Sequence, residues 1–67
     1  MAMLKVIEVL AESEKSWENA ANSAVAQASE TVRNIKSINV ENFQGTIGED
    51  GRIARYRINA KISFVLE

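Results

Sequence analysis

The 67-residue chain contains no cysteine and no histidine, and these two absences remove several classes of site at once. Without cysteine there are no disulfide bonds and no thiolate metal sites. Without histidine, the commonest general base and the commonest metal-binding side chain are both missing. The composition therefore weighs against a catalytic triad and against a transition-metal centre.

The chain also lacks an excess of charge and a long apolar run. Its net charge is −1, so it does not have the basic surface typical of nucleic-acid binding. No apolar run approaches the length of a membrane span, and no signal peptide is recognised. We therefore expect no nucleic-acid partner, no membrane association and a cytoplasmic location. Residues 1–67 are expected to form one domain, whose small core commonly needs support from oligomerisation.

The stretch from Ser16 to Ile35 has its apolar residues at helical spacing. They are Trp17, Ala20, Ala21, Ala24, Val25, Ala28, Val32 and Ile35. This spacing predicts an α-helix with one apolar stripe. Because most of the stripe is alanine, the helix can lie close to the surface that covers it. Trp17 is its one large anchor, and Ser13 and Ser16 are both candidate N-caps.

Three further stretches have the composition and alternation of β-strands: residues 3–11, 35–47 and 52–66. A phase change between Val40 and Phe43 predicts a bulge in the second strand. Asp50 and Gly51 predict the turn of an antiparallel hairpin. The third strand would span about 50 Å and the helix only about 30 Å, so the strand must curl around the helix, run past it, or both.

The resulting architecture is α+β, with the order β-α-β-β and a three-stranded antiparallel sheet around one helix. Such long strands leave long sheet edges, which natural proteins cover. Further copies of the same chain would cover them, so we expect a homo-oligomer.

Several segments of the chain together resemble the dodecin family. They are residues 5–9 (KVIEV), 16–21 (SWENAA), 45–51 (GTIGEDG) and 56–58 (YRI) with 64–67 (FVLE). Dodecins are small flavin-binding proteins of β-α-β-β fold, in which twelve copies form a hollow shell and flavins bind in pairs near its symmetry axes. The resemblance implies a homododecamer that stores or buffers flavin and is not an enzyme.

The resemblance also implies where a flavin, riboflavin or FMN, would be contacted. In flavin-binding dodecins a tryptophan early in the second strand stacks on the flavin ring, and Ser37 stands at that position here. A glutamine after the tyrosine of the third strand bonds the polar edge of the ring. Arg57 stands there, and it donates hydrogen bonds but cannot accept them. Glu41 shares a strand parity with Ser37 and is an expected neighbour. Weakened flavin binding is therefore implied, as is closeness to a second branch, the calcium dodecins, which lack the stacking tryptophan.

The polar face of the third strand allows two interpretations. Arg55, Arg57 and Lys61 form a basic strip that would suit a phosphate-bearing ligand such as a flavin nucleotide or coenzyme A. Alternatively, the strip is a polar sheet face whose cations pair with Glu8 or Glu41.

Metal binding and catalysis are the remaining alternatives. The candidate oxygen ligands for calcium are Glu12, Glu14, Glu18, Glu49 and Asp50, but they lack EF-hand spacing, and roles at the helix dipole or in the turn are favoured. The metal ligands therefore stay unassigned. An enzyme would have to use Arg57 with a carboxylate such as Glu41, and no nucleophile is evident. The leading hypothesis is a flavin-binding shell, and the alternative is a calcium-binding or structural shell of the same fold.

Overall fold

The computed structural model describes residues 3–66, in which three strands and one helix follow the order β-α-β-β. Their bounds are Met3–Ser13 for β1, Trp17–Ala28 for α1, Ile35–Ile47 for β2 and Ile53–Leu66 for β3. This confirms the α+β class and the predicted order of elements. Met1, Ala2 and Glu67, which the predicted domain includes, lie outside the described residues.

The last strand is the centre of the sheet. The strand order is β1-β3-β2, and β3 pairs antiparallel with both neighbours. The described chain extends over 52 × 20 × 13 Å, whereas a twelve-residue helix is only about 18 Å long. The prediction that the sheet outruns the helix is therefore confirmed, and much of the sheet has no helix over it.

The helix begins where a serine caps it. Ser16 is the N-cap, and its Oγ accepts a hydrogen bond of 2.9 Å from the backbone N–H of Asn19. Ser13, the other candidate, instead accepts from Lys15 N–H and donates to the Asn19 side chain at 2.7 Å. The two serines together fix the geometry of the segment between β1 and α1.

The core lies between the alanine stripe of the helix and the middle of β3. Ala20, Ile58, Ala60 and Ile62 have no exposed surface, and Ala24 is also buried. Partly buried hydrophobic residues complete the core: Val9, Ala11, Trp17, Ala21, Ile38 and Val40. Small side chains on the helix thus bring it close to the sheet, as the sequence predicts.

The predicted helix is too long at its C-terminal end. The helix ends at Ala28 rather than continuing to Ile35, so Val32 and Ile35 are not on its stripe. The backbone N–H groups of Thr31 and Val32 both donate to the carbonyl of Ala28, which closes the last turn. Asn34 then has a φ of 62°, a left-handed conformation that turns the chain into β2.

Irregularities in β2 bend the hairpin. The register against β3 shifts at three places, including the step between Val40 and Asn42, which confirms the predicted bulge. The predicted turn is also confirmed. Gly51 has a φ of 81°, and the Asp50 carboxylate accepts from the backbone N–H of Arg52 at 3.0 Å.

The single helix described between residues 3 and 66 is too short, and not apolar enough, to span a lipid bilayer.

Candidate functional site

The candidate site lies on the face of the sheet opposite the helix. Because Ile58, Ala60 and Ile62 of β3 are buried toward the helix, the residues between them point the other way. The strand register brings the neighbouring strands' residues onto the same face. We call this surface the open face; it includes Leu4, Val6, Glu8, Leu10 and Glu12 of β1, Ser37, Asn39, Glu41, Asn42, Gln44 and Thr46 of β2, and Arg55, Arg57, Asn59, Lys61 and Ser63 of β3.

One carboxylate on the open face joins two arginines. Glu12 lies directly opposite Arg57 in the register of β1 and β3. Its Oε1 accepts from Arg57 Nε at 2.8 Å and from Arg57 Nη2 at 2.5 Å. Its Oε2 accepts from Arg55 Nη1 at 3.4 Å. Glu12 therefore accepts hydrogen bonds from the Nε–Nη2 edge of one guanidinium and from a second one beside it.

These contacts favour the ionised form of Glu12. Hydrogen bonding from Arg57 is the main cause that lowers the pKa of Glu12 below its ordinary value. Partial desolvation opposes this shift, and the positive charges of Arg57 and Arg55 add to it. Glu12 is therefore a carboxylate at neutral pH and remains one further into the acid range than an isolated glutamate.

The other end of the open face holds a weaker ion pair and a hydroxyl pair. Lys61 Nζ lies 3.5 Å from Glu41 Oε2, which confirms the predicted pairing between the strip and Glu41. Glu8 is opposite Lys61 in the register but forms no ion pair in the described chain. The hydroxyls of Ser37 and Ser63 form a short hydrogen bond across β2 and β3. Ser37 thus presents a small polar surface with no ring to stack on a ligand.

A single chain does not bring Ser37 and Arg57 together. Ser37 of β2 lies opposite Ser63 of β3, and Arg57 lies six residues before Ser63 on β3. At about 3.3 Å per residue, this separates the two positions by about 20 Å. One tricyclic ring cannot contact both side chains within one copy. Glu41 lies between them and contacts Lys61, not Arg57.

The role of Glu12 is not predicted from the sequence. The predicted first strand ends at Ala11, which leaves Glu12 in the segment before the helix. The strand in fact continues to Ser13. The signal for this role is the alternation of the strand, because Glu12 follows Glu8 and Leu10 at intervals of two residues. A first strand predicted two residues longer would place Glu12 on the same face as the cations of β3.

The aromatic residues form a cluster on the helix side of the sheet. The ring of Trp17 lies edge-on to Tyr56 at 4.8 Å and to Phe43 at 6.0 Å between centroids. Its Nε1–H donates to the carbonyl of Gln44 at 2.8 Å. Trp17 and Tyr56 are half-buried, so the prediction that both rings are packed is confirmed.

The predicted oxygen ligands are dispersed. Within residues 3–66, no group of three or more acidic side chains is placed to hold a metal ion. Glu12 is held by two arginines, and Asp50 bonds within its turn. The described part of a single chain therefore offers no ready-made cluster of carboxylates.

Large apolar side chains are exposed beside these polar groups. Leu4, Val6 and Leu10 alternate with Glu8 and Glu12 on the open face of β1, and Leu10 is 71% exposed. An apolar row of this kind on an edge strand is typical of a surface that another chain covers.

Comparison with known proteins places this geometry in a family. A dodecin of Thermus thermophilus is 35% identical over 63 residues, which cover 94% of this chain and 90% of the relative. A calcium dodecin of Mycobacterium tuberculosis is 36% identical over 64 residues, which cover 96% of this chain and 89% of the relative.

Solved structures agree with the sequence relatives. A crystal structure of a Thermus thermophilus protein matches with a TM-score of 0.92 at 33% identity, covering 100% of this chain and 97% of that one. The model of the family described as Dodecin matches residues 3–67. Since that match spans nearly the whole chain and the relatives exceed 30% identity, the chain belongs to the dodecin family.

Proposed function

We propose that the protein is a non-enzymatic shell of twelve copies that binds or buffers a small molecule, with a flavin as the leading ligand. Membership of the dodecin family supports both the assembly and the ligand class. The observation that carries the proposal is the open face, where polar candidate residues and uncovered apolar residues lie side by side.

The separation of the candidate residues supports a site built from several copies. Ser37 and Arg57 are about 20 Å apart along β3, so a ligand that contacts both must take them from different chains. The exposed Leu4, Val6 and Leu10 give neighbouring copies an apolar surface on which to pack. A monomer would then lack a binding site, and binding would depend on assembly.

The same residues limit the affinity for flavin. Ser37 is bonded to Ser63 and offers no aromatic surface, whereas stacking on a base-like ring is worth roughly 1–3 kcal/mol per contact. Arg57 donates to Glu12 and has no acceptor for the donor N–H of the ring. Weak flavin binding by the natural sequence is therefore part of the proposal.

A titration of riboflavin fluorescence tests the proposal. We expect weak quenching by the natural protein and tighter binding by Ser37→Trp, by about tenfold or more, since the indole restores the stacking surface. Ser23→Trp is the matched control, because Ser23 is exposed on the helix and the same ring is introduced away from the open face.

The outcomes separate the candidates. Equal binding by Ser37→Trp and Ser23→Trp would show that no flavin site surrounds Ser37. The second candidate, a calcium-binding or structural shell, would then replace the first. It is favoured by the 36% identity to a relative named calcium dodecin and by the same absence of a stacking ring at Ser37.

A further inference from the structure

The basic strip of β3 is balanced by acidic residues of the adjacent strands. Glu12 contacts both Arg55 and Arg57, Glu41 contacts Lys61, and Glu8 lies opposite Lys61 in the register. The three cations therefore face three carboxylates. A strip that looks like a phosphate site in the sequence of β3 alone has no excess positive charge once the sheet is formed.

Glu12 also takes the part of Arg57 that recognises anions. The Nε–Nη2 edge of a guanidinium is a fork that binds carboxylate or phosphate oxygens, and both of these nitrogens donate to Glu12 Oε1. A ligand phosphate would have to displace a carboxylate that is tethered to the next strand. Tethering gives such a group an effective concentration of roughly millimolar or above, far beyond that of a scarce ligand.

A phosphate that displaced Glu12 from Arg57 would still be repelled by the Glu12 carboxylate. The displaced carboxylate of Glu12 is fixed to β1 directly opposite Arg57, so it stays beside the bound anion. Two negative groups that share one cation repel each other. Glu12 therefore acts against a phosphate both by competing for Arg57 and by its own charge.

We propose that Glu12 is a specificity-determining residue that reserves the Nε–Nη2 edge of Arg57, so that the site admits the neutral flavin ring of riboflavin and rejects its phosphate-bearing form. This inference rests on the proposed function, since it names which class of flavin the open face takes. It replaces the interpretation of Arg55 and Arg57 as a free phosphate site.

The test compares riboflavin with FMN on the assembled protein, in the natural sequence and in the Ser37→Trp background. We expect the natural Glu12 to favour riboflavin. Glu12→Gln should tighten FMN binding relative to riboflavin binding by about tenfold, the gain from about one charge-assisted hydrogen bond. Glu14→Gln is the matched control, because Glu14 is exposed two residues further along the chain and makes no ion pair within residues 3–66.

Equal changes for both flavins in Glu12→Gln would overturn the inference, since Glu12 would then support the fold without selecting the ligand. A second measurement does not depend on flavin. Inorganic phosphate should raise the melting temperature of Glu12→Gln above that in chloride at equal ionic strength, and should not do so for the natural protein or Glu14→Gln. If no flavin binds any variant, the proposed function fails, and the phosphate measurement still decides whether Glu12 blocks an anion site.

Discussion

At Glu12, one carboxylate links the open face to the stability of the fold in acid. Its hydrogen bonds to Arg57 and Arg55 are made by the ionised form, and they lower its pKa in the folded protein. A group with a lowered folded-state pKa contributes stability at pH values above its unfolded pKa. That contribution is lost as the pH falls through the folded-state value.

The pH dependence of unfolding tests this linkage. At neutral pH, the natural protein should melt at a higher temperature than Glu12→Gln. The difference should shrink when the pH falls below the ordinary carboxyl range, because Glu12 is then protonated in both states. Glu14→Gln should track the natural protein throughout. A Glu12→Gln deficit of the same size at neutral and acid pH would show that lost packing, rather than lost charge, is the cause.

The candidate residues show how far sequence reasoning reaches at this scale. Parity placed Glu41 with Ser37 on β2 and Arg57 with the cations of β3, and the ion pair between Lys61 and Glu41 agrees with the interpretation of a polar face that pairs with Glu41. The distance between Ser37 and Arg57 along the sheet was not predicted, because parity indicates the face of a strand and not the register between strands. Glu12 was not placed on the open face because the predicted first strand ended two residues before the end of β1.

Among the elements, the strands were predicted more accurately than the helix. Strict alternation in β3 and the turn at Asp50 and Gly51 are local signals, and both were confirmed. The helix was predicted to Ile35 because the apolar period continues through Val32. No glycine or proline marks the end of the helix at Ala28. The boundary is set by backbone hydrogen bonds to the carbonyl of Ala28, which cannot be predicted from the residue types.

The hairpin turn depends on the backbone of Gly51. With a φ of 81°, Gly51 has a left-handed conformation, and no atom lies within 4 Å of a Cβ built there. Gly51→Ala should therefore destabilise the protein by about 1–2 kcal/mol through backbone conformation and not through a clash. Gly51→Asn should lose less, since asparagine tolerates this conformation. Chemical unfolding measures both, and equal losses for the two variants would show that the sign of φ is not the cause.

At the scale of the whole molecule, a row of exposed apolar residues on an edge strand requires cover. Leu4, Val6 and Leu10 lie on β1, which has a neighbour on one side only within the described sheet. The sequence predicted an oligomer from strand length, and the twelve-copy shell remains a proposal supported by the family.

Light scattering after size exclusion tests the shell. The natural protein should have a mass near twelve times that of the chain, and Leu10→Asn should shift it to smaller species while the circular dichroism persists. Ala26→Asn should leave the mass unchanged, because Ala26 is exposed on the helix and the same residue is introduced there. A folded monomer of natural sequence at micromolar concentration would contradict the shell.

The central position of β3 also sets the order in which the chain can fold during synthesis. β1 and β2 do not pair with each other, and each bonds only to β3, with Met3 opposite Leu66. As the chain leaves the ribosome, the helix can form early, but both earlier strands must wait without a partner until the last strand has emerged. Closing nearly the whole chain into one ladder is a non-local step, and such steps are slow. During the last part of synthesis the chain therefore exposes two unpaired strands, and unpaired strand edges of this kind are prone to aggregate.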